Sequence, residues 1–194
     1  MTNVRFLTKE ELEAGIGFLT ESPLDRGPLM MIVRRPLEDA REVLESGELD
    51  IEVGLVGDNW KTRGSSRTTD GFGHPDMQIN IMNSRVVDFI SDGDKARWPL
   101  AGDQLFVDLN LGKANLPVGT RIRVGNAELE VTAIPHTGCK KFNERFGVEA
   151  TRFVNSTIGK EYCFRGINAK VVKSGTVSTG DMVEVLNRGE VEIL

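Results

Sequence analysis

A series of short apolar runs, each alternating with polar residues and ending near a glycine, limits what this chain can fold into. The clearest example is RIRVGNAELEV, residues 121–131, in which apolar and polar residues alternate on both sides of Gly125 and Asn126. Such alternation places one face of a strand against a core, and a Gly-Asn pair between two alternating runs is typical of a β-hairpin. The sequence therefore predicts a chain built chiefly from short strands.

Three further segments have the same strand-like character, and glycine is abundant between them. Gly makes up 21 of the 194 residues, about 11%, whereas about 7% is usual in proteins. The segments are MQINIMNS (77–84), QLFVDLNL (104–111) and NAKVVKSGTVSTGDMVEVL (168–186), and we predict that the last forms two strands broken by Gly175 and Gly180. Many short strands with a few short helices favour a mainly β fold class, a β-barrel with helical additions.

Helices are predicted at four places. Residues 8–19, TKEELEAGIGFL, begin with Thr8 and have Glu11 three positions later, which is the pattern of a capping box. Residues 34–50, RRPLEDAREVLESGELD, have Pro36 in the first turn, which suits the start of a helix. Two shorter helices are predicted in NSRVVDFI (83–90) and FNERFGVEATRFVNS (142–156).

The charge distribution narrows the classes of ligand. The net charge is −5, so a nucleic-acid-binding surface is not expected. Residues 139–173 nevertheless contain eight Lys or Arg and three Glu, a net charge of +5 that leaves −10 on the rest of the chain. A local cationic segment on an acidic protein favours a small anionic ligand over a polymer.

The sequence also carries expectations about location. The N-terminal MTNVRFLTKEELEAG lacks the basic and then apolar build of a signal peptide, and no apolar run approaches the ~20 residues that span a membrane. Two cysteines in 194 residues do not make a disulfide framework. We therefore expect a cytoplasmic protein with no membrane partner.

The segment PHTGCKKFNERFG, residues 135–147, is the first candidate for chemistry. It places Cys139 between His136 on one side and Lys140 and Lys141 on the other. Cations stabilise a thiolate, and the thiolate is both the nucleophile and the metal-binding form of cysteine. Gly138 would let a ligand approach the backbone closely. The alternative is a cysteine that serves only as a small packing residue.

Several other uses of these residues stay open. Cys163 lies between two aromatic residues and is interpreted as a packing residue of a strand. Cys139 and Cys163 could form a redox pair, but they lack the C-x-x-C spacing. The two cysteines could bind zinc together with His74 and His136, but only His136 and Cys139 are closely spaced in sequence. A Cys-dependent transferase with His136 as its catalytic base needs only nearness in space. His74 is interpreted as a loop residue.

Three arginines are candidates for binding phosphate, namely Arg145, Arg152 and Arg165. The guanidinium fork matches two phosphate oxygens at once. For each of them the alternative is a solvated surface residue.

The larger part of the chain resembles the MOSC domain family, named for the C-terminal domain of molybdenum cofactor sulfurases. The matching elements occur in order: the cysteine of GCKKF, the following RFG, the strand RGINAKV and the closing GTVSTGDMV. Upstream, PLEDAREVLESGELDIEVGLVGDNW, MQINIMNSRV and AGDQLFVDLNL are similar to stand-alone bacterial members, so the resemblance extends from Leu29 to Leu194.

The resemblance implies a closed β-barrel for residues 29–194, with residues 1–28 as an N-terminal segment that packs on the barrel. It also implies that Cys139 binds molybdenum, or carries sulfur, for the molybdenum cofactor, a pterin dithiolene with a terminal phosphate. A soft thiolate suits such a metal. The cofactor-binding residues would be those whose cations balance the anionic ligand, namely Lys140, Lys141, Arg145 and Arg165.

The resemblance leaves three functions open. A complete sulfurase also has a pyridoxal-phosphate domain, for which this chain has no room, and the amidoxime-reducing relatives have an additional N-terminal barrel that we do not find. The protein is therefore expected to reduce N-hydroxylated compounds with a redox partner, or to carry sulfur or cofactor received from a donor protein. The alternative is a metal-free transferase in which Cys139 and His136 are the catalytic groups.

Overall fold

The computed structural model describes residues 4–65 and 67–190. The ends of the two segments predicted above, residues 1–3 and 191–194, lie outside the described residues. Eleven strands are described: β1 (Arg26–Arg34), β2 (Glu42–Leu44), β3 (Ser46–Asp50), β4 (Gly54–Leu55), β5 (Ile79–Asn83), β6 (Leu105–Val107), β7 (Arg121–Val124), β8 (Ala127–Val131), β9 (Ile167–Lys173), β10 (Gly175–Ser178) and β11 (Met182–Asn187).

Short helices connect the strands. The α-helices are α1 (Lys9–Ala14), α2 (Ile16–Thr20), α3 (Trp60–Arg63), α4 (Ser84–Ile90), α5 (Lys140–Phe146), α6 (Val148–Val154) and α7 (Thr157–Glu161). Two 3₁₀ helices are also present, Pro75–Met77 and Lys95–Ala101.

Seven strands close into a barrel in the order β1-β11-β7-β8-β9-β5-β6, and β6 pairs again with β1. The β5–β6 pair is parallel and the other barrel pairs are antiparallel. Closure leaves no free edge in this ring, although β2 extends one end of β1. The mainly β fold class with a closed barrel is therefore confirmed.

Several strands are buried on both faces. In β6, Leu105 and Val107 belong to one core cluster while Phe106, between them, belongs to another. The first cluster fills the barrel, and the second lies between the barrel wall and helices α4, α5 and α6. The period of two along a strand thus distributes its side chains between two cores. The second core carries the helix that follows Cys139.

The N-terminal segment contributes to the second core. Thr8 and Glu11 form the predicted capping box at the start of α1. Leu7, Leu12 and Leu19 are buried in the second cluster. The domain boundary at residue 29 stays a prediction. Strand β1 begins at Arg26 and runs across this position.

The predicted helix over residues 34–50 is wrong. The segment forms a turn and then β2 and β3, which pair with β1 and β10. Asp39 adopts a left-handed φ of 59°, which interrupts a helix, and Leu37 is 71% exposed. Pairing with strands from distant parts of the chain outweighs the local helical preference of this segment.

The other sequence predictions fare better. The hairpin is confirmed as β7 and β8, joined by Gly125 and Asn126, with Gly125 at a φ of 53°. Helix α4 lies in the segment predicted for it, and the helix predicted in residues 142–156 is present as two, α5, which begins earlier at Lys140, and α6. Residues 168–186 form parts of three strands rather than two, because β10 leaves the barrel and joins β3 and β4 in a second sheet.

Gly180 and Gly17 allow a matched test of the predicted turn before β11. Neither glycine has an atom within 4 Å of the position of an added Cβ, but Gly180 has a φ of 95° whereas Gly17 lies in α2. We expect Gly180→Ala to lower the unfolding free energy by about 1 kcal/mol or more, and Gly17→Ala to raise it by about 0.5 kcal/mol. Urea unfolding of both variants measures this. Equal effects of the two substitutions would contradict the turn.

Candidate functional site

Cys139 lies on the surface at the start of α5. It precedes the first residue of the helix in extended backbone, and its side chain is exposed. Its thiol has no hydrogen-bond partner among the described residues. Phe142 and Phe146, one turn apart on α5, are buried with ring centroids 4.8 Å apart and anchor the helix to the second core. An accessible thiol is thereby held on a well-packed element.

The backbone next to this thiol is clamped by one side chain. The Gly138 N–H donates to Oδ1 of Asn155 (3.0 Å), and Nδ2 of Asn155 donates back to the Gly138 carbonyl (3.2 Å). A Cβ at position 138 would lie 3.0 Å from Nδ2 of Asn155 and 3.3 Å from Thr151. A larger residue would have to displace these neighbours by a few tenths of an ångström, and the two hydrogen bonds orient the peptide that leads into Cys139.

His136, Asp103 and Arg165 meet beneath the cysteine loop. Nη1 of Arg165 donates to Oδ2 of Asp103 (2.7 Å), and Nε2 of His136 lies 3.0 Å from Oδ1 of the same carboxylate. Asp103 is fully buried. Three atoms at this junction are buried without a hydrogen-bond partner among the described residues: Oδ1 of Asp103, Nε2 of His136 and Nε of Arg165. The 3.0 Å contact is thus close but poorly aligned.

The electrostatics of this junction favour an ionised carboxylate beside a neutral imidazole. Burial raises the pKa of Asp103, but Arg165 and His136 outweigh it, and the pKa is lowered overall. The pKa of His136 is lowered as well, first by burial and then by Arg165. Asp103 attracts a proton to His136 and only partly offsets these effects.

Four arginines converge on four successive backbone carbonyls at the end of the second 3₁₀ helix. The donors come from separate parts of the chain, and each takes a different oxygen at 2.8–3.2 Å: Arg41 on Pro99, Arg145 on Leu100, Arg165 on Ala101 and Arg35 on Gly102. Carbonyls at the end of a helix lack intrahelical partners and carry partial negative charge, so cations are favoured there. The result is a concentration of positive charge beside Asp103.

Part of this charge has no carboxylate partner. Arg35 forms a two-point ion pair with Asp58, in which both side chains are buried. Arg41 and Arg63 form no ion pair among the described residues. Burial, then Arg145 and Arg35, lower the pKa of Arg41. Arg63 is exposed at the surface, and partial burial and then Arg35 lower its pKa too. The arginines thus repel one another, and an anion would relieve that repulsion.

The lysines and arginines predicted to bind a cofactor are placed differently from one another. Lys140 is 92% exposed, and its only ion pair in the described part of the chain is a long one to Glu144 at 4.0 Å. Lys141 is paired with Glu38 (2.8 Å) and Asp39 (3.2 Å), and Arg145 with Asp39 (2.8 Å). The turn that sequence analysis took for a helix therefore neutralises two of these cations, Lys141 and Arg145.

The remaining candidates have structural surroundings. Cys163 lies in a turn after α7, not in a strand, with a φ of 50°, and burial raises its pKa to about 11. Arg152 is exposed and pairs with Glu149 on its own helix. His74 caps a 3₁₀ helix, since its Nδ1 accepts from the Asp76 N–H (3.1 Å). No group of three or more His, Cys, Asp or Glu suited to a metal ion is found among residues 4–65 and 67–190.

Sequence reasoning missed Arg35, Arg41, Arg63 and Asp103. The residues next to each of them in sequence include no candidate catalytic or binding group. Strand pairing and the 3₁₀ helix bring the four residues together. The one local signal was an aspartate in AGDQLF, at the edge of an apolar strand, where a charge is buried only if it is paired.

The profile of the MOSC domain family matches residues 68–184, which include Cys139, His136, Asp103 and Arg165. This match covers more than half of the chain. The chain belongs to the MOSC domain family. Members of this family bind the molybdenum cofactor or act in sulfur transfer. No curated protein sequence matches the chain.

Solved structures share the fold at low sequence identity. YuaD from Bacillus subtilis is 16% identical with a TM-score of 0.61, over 82% of this chain and 95% of that one. YiiM from Escherichia coli is 21% identical with a TM-score of 0.56, over 86% and 72%. YiiM from Geobacillus stearothermophilus is 13% identical with a TM-score of 0.51, over 87% and 76%.

Membrane insertion through a helix has no candidate segment in the described residues, where no helix combines the length and apolar character that a span requires.

The two cysteines should differ sharply in reactivity. We expect iodoacetamide at pH 8 to modify Cys139, because it is exposed, and to spare Cys163, which is half-buried and whose pKa of about 11 leaves little thiolate. Peptide mapping after a timed reaction gives both rates. Labelling of Cys163 as fast as Cys139 would contradict this placement, and full labelling in denaturant is the control.

The buried imidazole should make stability depend on pH. Because the pKa of His136 is lower in the folded protein than its ordinary 6.5, protonation favours the unfolded chain. The unfolding free energy should therefore decline as the pH falls below about 6.5, and protonation of Asp103 should lower it further in stronger acid.

Urea unfolding at pH 7.5 and 5.5 measures the histidine contribution. His136→Gln should shrink the difference between the two pH values. His74→Asn, which keeps a capping side chain, should retain it. An equal pH dependence in the parent and in His136→Gln would be inconsistent with a buried neutral imidazole.

Proposed function

We propose that this protein binds the molybdenum cofactor, with Cys139 as the ligand to molybdenum. The proposal is supported by an exposed thiol that no other side chain engages among the described residues, on a loop held in place by Asn155. A thiolate is a soft ligand that suits molybdenum in the dithiolene centre.

The arginine cluster supports binding of the anionic part of the same ligand. Arg41 and Arg63 form no ion pair in the described part of the chain, and their pKa values are lowered first by burial and then by other arginines. A phosphate would offset this repulsion and accept two-point hydrogen bonds from a guanidinium. The uncompensated charge beside the Cys139 helix is the observation that carries the proposal.

The predicted cofactor-binding residues then have separate roles. Arg165 is committed to Asp103 and Ala101, so it would support the wall of the site. Lys141 and Arg145 form ion pairs with Glu38 and Asp39. An anionic ligand would displace these carboxylates or bind close to the two cations. Lys140 is exposed and would contribute long-range attraction.

When bound, the cofactor would supply two-electron redox chemistry at molybdenum. In this proposal the chain orients the ligand through Cys139, neutralises its charge through the arginines and offers a titratable imidazole at His136. Reduction of N-hydroxylated compounds, with electrons from an external redox partner in the cytoplasm, is the reaction that this set of groups suits best.

A sulfur carrier is the second candidate, and the exposure of Cys139 favours it. A persulfide on an accessible thiol can be received from a donor protein and passed to an acceptor without a substrate pocket. A metal-free transferase would need a base hydrogen-bonded to the thiol. Within the described residues His136 contacts Asp103 and forms no hydrogen bond with Cys139.

Molybdenum content tests the first assignment. We expect protein from molybdenum-replete cells to carry molybdenum, Cys139→Ser to lose it because an alcohol is a harder and less acidic ligand, and Cys163→Ser to keep it. Elemental analysis per chain gives the result, with circular dichroism to verify folding.

The outcomes separate the candidates. A parent protein without molybdenum or pterin would move the sulfur carrier and the transferase ahead. Equal loading of the parent and Cys139→Ser would mean that another group holds the cofactor. In a loaded parent, reduction of an N-hydroxylated base with an artificial electron donor indicates a reductase.

Charge reversal tests the arginine cluster. Arg41→Glu and Arg145→Glu should weaken retention of the phosphorylated pterin about tenfold or more, since a charge-assisted hydrogen bond contributes about 1.5–3 kcal/mol. Arg152→Glu makes the same change of charge on the exposed face of α6 and is the matched control. Retention of pterin by all three variants at the parent level would show that the cluster does not hold the ligand.

A further inference from the structure

His136 has two ring nitrogens in different surroundings. Nε2 is buried and lies 3.0 Å from Oδ1 of Asp103. Nδ1 has no hydrogen-bond partner among the described residues and, unlike Nε2, is not one of the buried unpartnered atoms. Since the side chain is 13% exposed, Nδ1 is the nitrogen that reaches solvent.

The charge on Asp103 determines which nitrogen carries the proton. Arg165 donates to one oxygen of the carboxylate and holds it ionised. An ionised oxygen 3.0 Å from Nε2 would repel a lone pair there and attract a proton. Nε2 has no other acceptor available in the described structure, so a neutral His136 carries its proton on Nε2 and a lone pair on Nδ1.

Arg165 is held in place by two contacts besides Asp103. Nη2 of Arg165 donates to the Ala101 carbonyl (2.9 Å), and its guanidinium lies 4.9 Å from the centre of the Phe142 ring. Gly166 lies beside the imidazole, since a Cβ added there would be 3.3 Å from Cδ2 of His136. Arg165 therefore holds Asp103 in place, and the charge of the Asp103 oxygen beside Nε2 favours one tautomer of the imidazole.

We propose that Asp103 is a positioning residue that holds His136 as the Nε2–H tautomer and presents Nδ1 as the proton-transfer atom of the Cys139 site. The role in proton transfer rests on the proposed function. Two residues separate His136 from Cys139 along the chain, and one of them is Gly138, which is clamped by Asn155.

The proposed reduction requires such an atom. Cleavage of the N–O bond of an N-hydroxylated compound consumes two electrons from the external reductant and two protons, and it yields an N–H compound and water. One proton must reach the departing oxygen so that it leaves as water. Neutral His136 would first take up this proton from solvent at Nδ1, and the resulting imidazolium would deliver it to the oxygen, while solvent supplies the second proton to the nitrogen.

The tautomer can be measured on the metal-free protein. The chain has only two histidines, so His74→Asn leaves the ring of His136 as the sole imidazole signal. Long-range ¹H–¹⁵N correlation at neutral pH should show Nε2 protonated and Nδ1 unprotonated. An Nδ1–H tautomer, or a mixture of both, would overturn the proposal without any variant of Asp103.

Asp103→Asn tests the cause of the tautomer. An amide can donate to Nε2, so the population of the Nε2–H tautomer should fall. Asp58→Asn removes the other buried aspartate that pairs with an arginine and should leave the tautomer of His136 unchanged. Equal spectra for His136 in the parent and in folded Asp103→Asn would overturn the positioning role.

The proton-transfer role has its own readout. In protein that carries molybdenum, His136→Gln should lower the rate of N–O reduction about 10²-fold or more and remove one limb of the pH–rate profile. That limb reflects Asp103, Arg165 and Arg35, the charged groups that act on His136. An unchanged rate and profile would overturn the role. If the parent protein binds no molybdenum, the proposed function fails, while the tautomer measurement still decides the positioning of His136.

Discussion

The carbonyls of residues 99–102 are the point on which the site depends. Four arginines bring the β1–β2 connection, α5 and the turn before β9 to one end of a 3₁₀ helix. Each guanidinium donates to a carbonyl at the helix end, and together they create a cationic region that Asp39, Asp58 and Asp103 only partly neutralise. Fold and charge are therefore coupled, because the contacts that assemble the site also concentrate its positive charge.

The barrel explains why these segments can meet. Its closure by β1 and β11 holds the connections at a fixed separation, and its strands bury side chains on both faces. The second core then places Phe142 and Phe146 against the wall, so that α5 and the loop before it are held close to Asp103. Cys139 stays exposed at the rim, where a ligand or a partner can reach it.

The turn that carries Glu38 and Asp39 links this site to the surface. Its carboxylates form ion pairs with Lys141 and Arg145, which the sequence analysis treated as cations available to a ligand. Such exposed ion pairs are weak and are screened by salt, so an anion bound nearby can compete with them. Arg41 and Arg63 form no ion pair with a described carboxylate, which is why they carry more weight in the proposal.

Local patterns determined much of this protein: the hairpin at Gly125, the capping box at Thr8, helix α4, the helical character of residues 142–154 and the family features around Cys139. These depend on residues close together in sequence, where alternation, caps and turns act directly. Only the tertiary structure made residues 34–50 into strands, because their partners lie in β1 and β10. Only it joined His136 to Asp103 and gathered Arg35, Arg41 and Arg63, since buried ion pairs and charge repulsion depend on distances that no local pattern encodes.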